Sequence, residues 1–350
     1  MGSAEPVSSG SVNPTLREAM TRRLMRRAVA RTEISLPAVP GMLEEYVEMC
    51  DEQFKALGVK FTDEQRAQLR GILQNQLVEA YTASPRSDIV ISYESPAVSL
   101  SVKYHVKAQW FTVQGAYDNW VATREPPLFG TEPDARVWAL AEEAEYPASF
   151  WILDIGAGTG RNTLALARRG HPVDAVEMTE KFAEAIRTEA VRDSLGVRVI
   201  QRDVFETLQD LRTDYQLILL SEVVSDFRTT EQLRGMFELA AHCLAPGGQL
   251  VFNIFLARDG YTPDDAAREL GQQCYTSIFT RAELANAAAL QPLDLVSDDS
   301  VHDYEKAHLP AENWPPTSWY VGWVSGVDVF DVKREDSPIE LRWLVYRKAG

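Results

Sequence analysis

The spacing of apolar residues changes twice along the chain. From 41 to 82 they recur every three or four positions, which predicts two helices, 41–57 and 62–82. From 89 to 106 they alternate with polar residues, which predicts a β-hairpin that turns at Ser95-Pro96. Beyond Phe150, short apolar runs alternate with helical patterns, as in a parallel sheet with crossover helices. The pattern predicts a small helix-plus-hairpin unit followed by a larger α/β unit.

The α/β part has the element order of an open sheet. Five strands are predicted at 150–155, 172–176, 197–200, 215–220 and 249–256. Helices are predicted at 131–146, 161–169, 179–190, 204–211, 230–244, 261–272 and 280–289. Two more strands, at 292–296 and 337–348, adjoin each other at the end of the chain. This order predicts a seven-stranded sheet whose last strand is inserted antiparallel.

Three segments follow from this organisation: a flexible basic arm at 1–33, the helix-plus-hairpin subdomain at 34–115, and the α/β domain at 116–350. The α/β domain carries an aromatic insertion at 302–335. Within the arm, the segment from Pro14 to Arg31 is predicted to be an amphipathic helix, because arginines surround its apolar stripe. We favour docking of this helix on the acidic remainder of the chain. An acidic partner, a membrane surface or organelle import are the alternatives.

Composition narrows the function. The formal net charge is −16, so nucleic acid is not expected as the main substrate, because neutralising phosphates needs a basic surface. The three cysteines lack C-x-x-C spacing, and His302 and His308 are not spaced as a metal pair, so we expect no metal and no disulfide framework. No apolar run approaches the roughly 18 residues of a membrane span. No secretory segment follows the N-terminus, so we expect a cytoplasmic protein.

The first strand of the α/β part runs into a glycine-rich turn, Asp154-Ile-Gly-Ala-Gly-Thr-Gly-Arg-Asn162. A strand, a glycine turn and a helix in succession bring backbone N–H groups against a nucleotide ligand. A dinucleotide-binding turn has a third glycine at the position that Arg161 occupies here. The spacing D-x-G-x-G-x-G instead resembles motif I of the class I S-adenosylmethionine-dependent methyltransferases, whose ligand carries no phosphate. A glycine-rich turn without a ligand is the alternative.

Other stretches extend this resemblance over about 150–350. Leu244-Ala-Pro-Gly-Gly248 ends a helix before a strand, as in this family. The run through Arg161 and Asn162, together with Phe279-Thr-Arg-Ala-Glu-Leu284, resembles the tellurite-resistance branch, which is similar to the thiopurine methyltransferases. Ala157 departs from that branch, which usually has cysteine there. The resemblance implies a Rossmann-like methyltransferase sheet and S-adenosylmethionine as cofactor.

The resemblance also implies roles for residues at the strand ends. Glu177 ends the second strand about 20 residues past the glycines, where an acidic residue binds the ribose hydroxyls. Asp203 faces the adenine amino group, caps the following helix, or does both, and Val204 lies against the adenine ring. The predicted cofactor-binding residues are Tyr117, Arg124, Asp154, Gly156, Gly158, Gly160, Asn162, Glu177, Met178, Asp203, Val204 and Ser221.

The acceptor side is predicted where the fourth strand ends, since open sheets bind ligands at that edge. Glu222 and Asp226 follow this strand and, with His302, are the predicted catalytic residues, either as a base or as orienting groups. Each carboxylate can instead be a solvated loop charge. The aromatic residues either box a flat or cationic substrate or anchor the insertion on the core. The predicted substrate pocket contains Trp120, Tyr304, Trp319, Tyr320 and Trp323.

We therefore predict an enzyme that transfers a methyl group from S-adenosylmethionine to a small-molecule acceptor by in-line displacement, giving S-adenosylhomocysteine. The absence of a D/N-P-P-Y motif after the fourth strand argues against adenine or glutamine amino groups as acceptors. Two alternatives remain: methylation of a peptide or protein side chain, and a non-catalytic S-adenosylmethionine-binding protein that engages a partner. No motif specifies the acceptor or an oligomeric state.

Overall fold

A computed structural model describes residues 18, 19, 21, 29–96, 102–110, 115 and 127–350. The chain divides into two compact units, Met1–Phe111 and Thr112–Gly350.

The first unit combines a three-stranded antiparallel sheet with two helices. The strands β1 (Val29–Pro37), β2 (Asp88–Pro96) and β3 (Lys103–Gln109) lie in that order. Helices α1 (Leu43–Ala56) and α2 (Asp63–Ala83) contribute apolar side chains to one core with the sheet, and Cys50 is fully buried in it. α2 begins with the predicted capping box, in which Thr62 and Gln65 exchange side chain–backbone hydrogen bonds.

Strand β1 corrects the prediction for the basic arm. The predicted helix from Pro14 to Arg31 is wrong at its end, because Arg31 lies in β1 opposite Glu94 of β2. Ile34 and Leu36 alternate with polar residues and pair with apolar residues of β2. This period-two pattern was the signal for a strand. β1 also crosses the predicted boundary at residue 33, and most of the arm lies outside the described residues.

The second unit is an open, mostly parallel sheet. Its strands are β4 (Ile152–Ile155), β5 (Val173–Val176), β6 (Val197–Ile200), β7 (Tyr215–Leu220), β8 (Leu244–Ala257), β9 (Ile278–Phe279), β10 (Leu293–Ser300) and β11 (Ile339–Lys348). The order is β10-β11-β8-β7-β4-β5-β6, and the two-residue β9 pairs with β8. β11 is antiparallel to both neighbours, which confirms the predicted insertion of the last strand.

Helices cover both faces of this sheet. They are α3 (Ala135–Glu142), α4 (Arg161–Arg168), α5 (Glu180–Arg192), α6 (Thr230–Cys243), α7 (Asp265–Gln273), α8 (Arg281–Ala288), α9 (Val301–His308), α10 (Tyr320–Val324) and α11 (Val327–Phe330). Every residue of β4 and β5 is buried, which explains their apolar runs without alternation. The predicted helix at 204–211 is instead two 3₁₀ turns, Val204–Glu206 and Leu208–Asp210.

The aromatic insertion packs on the sheet. Helices α9, α10 and α11 lie between β10 and β11 in the sequence. Tyr320 and Trp323 are buried in the same core cluster as Trp343 of β11 and Val137 of α3. The insertion is therefore anchored on the core through residues that pack with β11 and α3.

Candidate functional site

Backbone hydrogen bonds to β5 hold the glycine turn between β4 and α4. Gly156 has a φ of +69°, and a Cβ there would lie 2.3 Å from Cγ2 of Val223. The amides of Gly156 and Ala157 both donate to the carbonyl of Val176, at 2.8 and 3.1 Å. Only glycine combines this backbone angle with this close approach.

The remaining glycine amides of the turn are also engaged inside the protein. Gly158 donates to Oε2 of Glu177 at 2.8 Å, and Gly160 donates to the carbonyl of Ala157 at 2.9 Å. A phosphate cradle needs free N–H groups directed at the ligand. This turn therefore suits a ligand that carries no phosphate, as its spacing predicted.

Glu177 joins the turn to the end of β5. Its Oε1 accepts from the amide of Thr179 at 2.7 Å, while Oε2 accepts from Gly158. The residue is 6% exposed, and burial raises the pKa of its carboxyl, opposed by these backbone hydrogen bonds. An ionised carboxylate has about four acceptor positions, so two remain for ribose hydroxyls.

The residues predicted to contact adenine lie at the ends of β5 and β6. The exposed Asp203 accepts from the amide of Phe205 at 2.9 Å and caps the turn that contains Val204. The side chains of Met178 and Phe205 are large, apolar and exposed, at 54% and 38%. Exposed apolar side chains beside a carboxylate offer the surface on which a purine ring packs.

A buried ion cluster lies beside the turn. Arg161 donates to Oδ1 of Asp134 at 2.6 Å and to Oε1 of Glu222 at 3.0 Å. The three side chains are 9%, 3% and 15% exposed, respectively. Charges held at this depth need partners, and Arg161 supplies one cation for two carboxylates.

Asp134 connects two predicted site residues. Its Oδ2 accepts from Nδ2 of Asn162 at 2.8 Å and from Oγ of Ser221 at 2.6 Å. Its amide donates to Oδ1 of Asn162 at 2.9 Å. Asp134 is the N-cap of α3, yet its side chain makes no capping bond. The sequence analysis did not single out Asp134, although an aspartate directly before a helical pattern was the available signal.

Glu305 takes over the capping of α3. Oε2 accepts from the amide of Ala135 at 2.8 Å, and Oε1 accepts from the amide of Arg136 at 3.2 Å and from Nε1 of Trp343 at 2.9 Å. The residue is 1% exposed, and burial raises its pKa. This contact spans 170 positions of sequence, so no local pattern could have predicted it.

Asp154 is buried beneath the turn. Its Oδ2 accepts from Oγ1 of Thr163 at 2.5 Å. Burial raises the pKa of Asp154 to about 7, and the Thr163 hydrogen bond opposes that rise. At 2% exposed, this carboxyl holds the start of α4 against β4.

Glu222 sits in a strained backbone conformation at the end of β7. Its φ is +61°, which is uncommon for a residue with a side chain and is found at binding and catalytic sites. The amide of Glu222 donates to Oδ1 of Asn253 at 2.8 Å, which fixes that conformation. Burial raises the pKa of its carboxyl to about 7, opposed by Arg161. Asp226 lies one 3₁₀ turn further on and is half-buried.

The other predicted catalytic residue, His302, lies on α9. Its Nδ1 is 2.9 Å from Oδ1 of Asp303, and its ring meets Trp314 edge-on at 5.3 Å. Tyr304 stacks on His308 at 4.1 Å and lies under the guanidinium of Arg136 at 4.8 Å. The structure therefore places His302 at the start of the aromatic insertion, in contact with Trp314, and places Tyr304 against α3.

The aromatic residues of the insertion form one cluster. Tyr320 contacts Trp314, Trp319 and Trp323 at ring-centroid distances of 5.8, 6.0 and 6.4 Å. Burial raises the pKa of Tyr320 well above its usual value, as do the charges of Glu305, Asp134 and Glu222. Tyr320 therefore lies within electrostatic reach of the acidic cluster. Tyr117, Trp120 and Arg124, predicted for the same side, lie outside the described residues.

Comparisons with known proteins agree with this geometry. The methyltransferase domain family matches residues 152–248. The ubiquinone biosynthesis O-methyltransferase of Erwinia tasmaniensis is 22% identical over 148 residues, which are 42% of this chain. The chain spans 56% of the length of that relative. The placement in the tellurite-resistance branch stays a prediction.

Solved structures that are similar to this chain have low sequence identity to it. Geranyl diphosphate C-methyltransferase from Streptomyces coelicolor superposes with a TM-score of 0.49 at 16% identity, covering 61% of this chain and 79% of that one. A protein from Galdieria sulphuraria that is described as a sarcosine dimethylglycine methyltransferase has a TM-score of 0.45 at 15% identity. The match covers 61% of this chain and 84% of that one.

No helix in the described part of the chain is long and apolar enough to cross a membrane. Within those same residues, no group of three or more histidine, cysteine, aspartate or glutamate side chains is arranged to hold a metal ion. The residues matched by the methyltransferase domain family include both the glycine turn and Glu177.

Proposed function

We propose that the protein methylates a small-molecule acceptor with S-adenosylmethionine. The observation that carries this proposal is the pairing of a phosphate-free glycine turn with a cluster that holds more carboxylates than cations. S-adenosylmethionine has no phosphate and carries a positive sulfonium. A loop whose three glycine amides are all engaged within the protein, together with an acidic surround, suits that combination better than it suits a dinucleotide.

Five of the predicted residues have a role in this proposal. Glu177 binds the ribose, and Met178, Asp203 and Val204 border the adenine. When bound, S-adenosylmethionine supplies the methyl group, and the carbon–sulfur bond breaks with its electron pair going to sulfur. The protein orients the acceptor in line and excludes water, which are the main demands of this reaction. Glu222 holds or accepts the acceptor's proton, since its raised pKa lies near neutrality.

A small acceptor is supported by the similar O-methyltransferase of Erwinia tasmaniensis, which is named for ubiquinone biosynthesis. The run from Gly160 to Asn162 supports a place near the tellurite-resistance and thiopurine branch, and we also propose a cytoplasmic location. Methylation of peptides is the competing outcome of the assay below.

Isothermal calorimetry with S-adenosylhomocysteine tests the cofactor, and NAD serves as the matched ligand that does carry a diphosphate. We expect heat of binding from S-adenosylhomocysteine and none from NAD. Tighter binding of NAD, or no heat from S-adenosylhomocysteine, would overturn the proposal. Release of labelled methyl groups to thiols, phenols, amines and short peptides then identifies the acceptor. Transfer to peptides alone would replace the small-molecule assignment.

A further inference from the structure

We propose that the acceptor is a small amine, bound as an ammonium ion between the side chains of Glu222 and Tyr320. This inference rests on the proposed function and adds the chemical class of its substrate.

Glu222 has an unused oxygen at the ligand edge of the sheet. Oε1 accepts from Arg161, whereas no described residue forms a hydrogen bond with Oε2. The side chain is 15% exposed, so it remains reachable from the site. A positive φ, held by Asn253, directs this residue at the end of β7. Such strain persists where function requires a particular orientation.

Tyr320 provides a second unused polar group. The residue is 3% exposed, and none of the described residues forms a hydrogen bond with its hydroxyl. A hydroxyl that no protein group engages, on so deeply held a ring, is available to a ligand. The charges of Glu305, Asp134, Glu222 and Arg161 all act on this hydroxyl, so Tyr320 lies within electrostatic reach of the cluster.

The charge of the cluster selects the sign of the ligand. Three carboxylates, Asp134, Glu222 and Glu305, surround the single guanidinium of Arg161. The carboxylate oxygens of Asp134 and Glu305 accept hydrogen bonds from other protein donors. Glu222 is therefore the carboxylate of this cluster with an oxygen available to a ligand. An ammonium ion would compensate the excess negative charge, whereas a carboxylate or phosphate would add to it.

Aromatic rings complete the wall around Tyr320. Trp314 meets its ring edge-on at 5.8 Å, and Trp319 lies at 6.0 Å. Rings of this kind attract cations over their faces and exclude water from them. An amine attached to a flat or apolar group therefore matches both parts of the wall.

Glu222 also supplies the proton transfer that an amine requires. An ammonium ion has no lone pair, so one proton must leave before nitrogen attacks. Oε2 of Glu222 accepts that proton, which gives a neutral amine and a protonated carboxyl. Nitrogen then bonds to the methyl carbon, and the product leaves as a methylammonium ion. Glu222 returns its proton to water.

Ligand binding to the S-adenosylhomocysteine complex tests the charge preference without turnover. Three phenyl compounds serve as probes at pH 7.5: 2-phenylethylamine, 2-phenylethanol and 3-phenylpropanoate. Calorimetry and tryptophan fluorescence should show that the amine binds about tenfold or more tightly than the carboxylate. Glu222→Gln should remove most of this preference. Tyr320→Phe should weaken amine binding about tenfold. This variant keeps the aromatic ring, so it also tests the proposal if Glu222→Gln does not fold.

The controls separate this inference from the proposed function. Glu238→Gln, an exposed change on α6, should leave all three affinities as in the wild type. Equal or tighter binding of the carboxylate, or no binding of the amine, would overturn the inference while S-adenosylhomocysteine still binds. Displacement of S-adenosylhomocysteine by the amine would place the cation in the cofactor site and would also overturn it. Failure of S-adenosylhomocysteine to bind would overturn both proposals.

Discussion

The guanidinium of Arg161 donates to the carboxylate of Glu222 at 3.0 Å, across 61 positions of sequence. Arg161 stands where a dinucleotide-binding turn has its third glycine, and Glu222 ends the strand next to that turn. The residue that excluded a diphosphate ligand thus also holds the predicted catalytic carboxylate. The side chain of Arg161 therefore connects the glycine turn, where the cofactor is proposed to bind, to Glu222 on the proposed acceptor side.

Removal of the Arg161 guanidinium should destabilise the fold, because buried carboxylates need a partner of opposite charge. Arg161→Met is expected to lower the free energy of unfolding by about 3–5 kcal/mol, because it leaves Asp134 and Glu222 without their shared partner. Urea denaturation at pH 7.5 measures this loss. Arg192→Met removes an exposed arginine with its own ion pairs and should leave the free energy of unfolding close to the wild-type value. Equal losses in the two variants would show that the cluster adds nothing to stability.

The fold was predictable because its signals are local. Apolar strands, capping boxes and the glycine turn each occupy a few consecutive residues, and the antiparallel last strand follows from element order. β1 was missed because its short alternation, from Arg31 to Pro37, was read as the end of a basic helix.

The site was predictable only in part. Glu177, Asn162 and Glu222 follow from strand ends and the motif. Asp134 and Glu305 do not, because their partners lie 28 and 170 positions away in the chain. Such contacts arise from tertiary packing of α3 against α4 and α9, for which the local sequence has no pattern.

Glu177 should matter to the cofactor more than to the fold. Glu177→Ala removes the proposed ribose acceptor and the bond that holds the Gly158 amide. S-adenosylhomocysteine should then bind more weakly by about 1–3 kcal/mol. Calorimetry measures this difference, with the exposed Glu180→Ala on α5 as the matched change. An affinity that stays at the wild-type value would remove Glu177 from the ribose site.

Two glycines with positive φ separate backbone strain from steric contact. At Gly156 (φ +69°) a Cβ meets Val223 at 2.3 Å, whereas at Gly247 (φ +77°) no atom lies within 4 Å. Gly247→Ala should cost about 1 kcal/mol from strain alone. Gly156→Ala should cost about 1–3 kcal/mol more, since the side chain of Val223 must move. Thermal unfolding of both variants tests the order, and the reverse order would contradict the geometry of the turn.

The buried carboxyls predict how stability changes with pH. Burial raises the pKa of Glu222 to about 7, above the ordinary value of 4.5, so the folded protein binds this proton more tightly than the unfolded chain. The resulting stability is present below pH 4.5 and is lost as pH rises through about 7. His171 acts in the opposite direction, because burial lowers its pKa. The comparison of wild type with Glu222→Gln isolates the Glu222 contribution from that of His171.

Glu222→Gln should therefore change the slope of stability against pH. Between pH 5 and 8 the wild type should lose up to about 3 kcal/mol relative to the variant, which corresponds to the shift of its pKa. Asp193 and Asp303 do not enter this window, since hydrogen bonds from Arg192 and Arg334 lower their pKa values to about 2. Urea unfolding at intervals of half a pH unit gives both curves. Parallel curves would show that Glu222 titrates at the same pH in the folded and unfolded chain, which would remove its assignment as a base near neutrality.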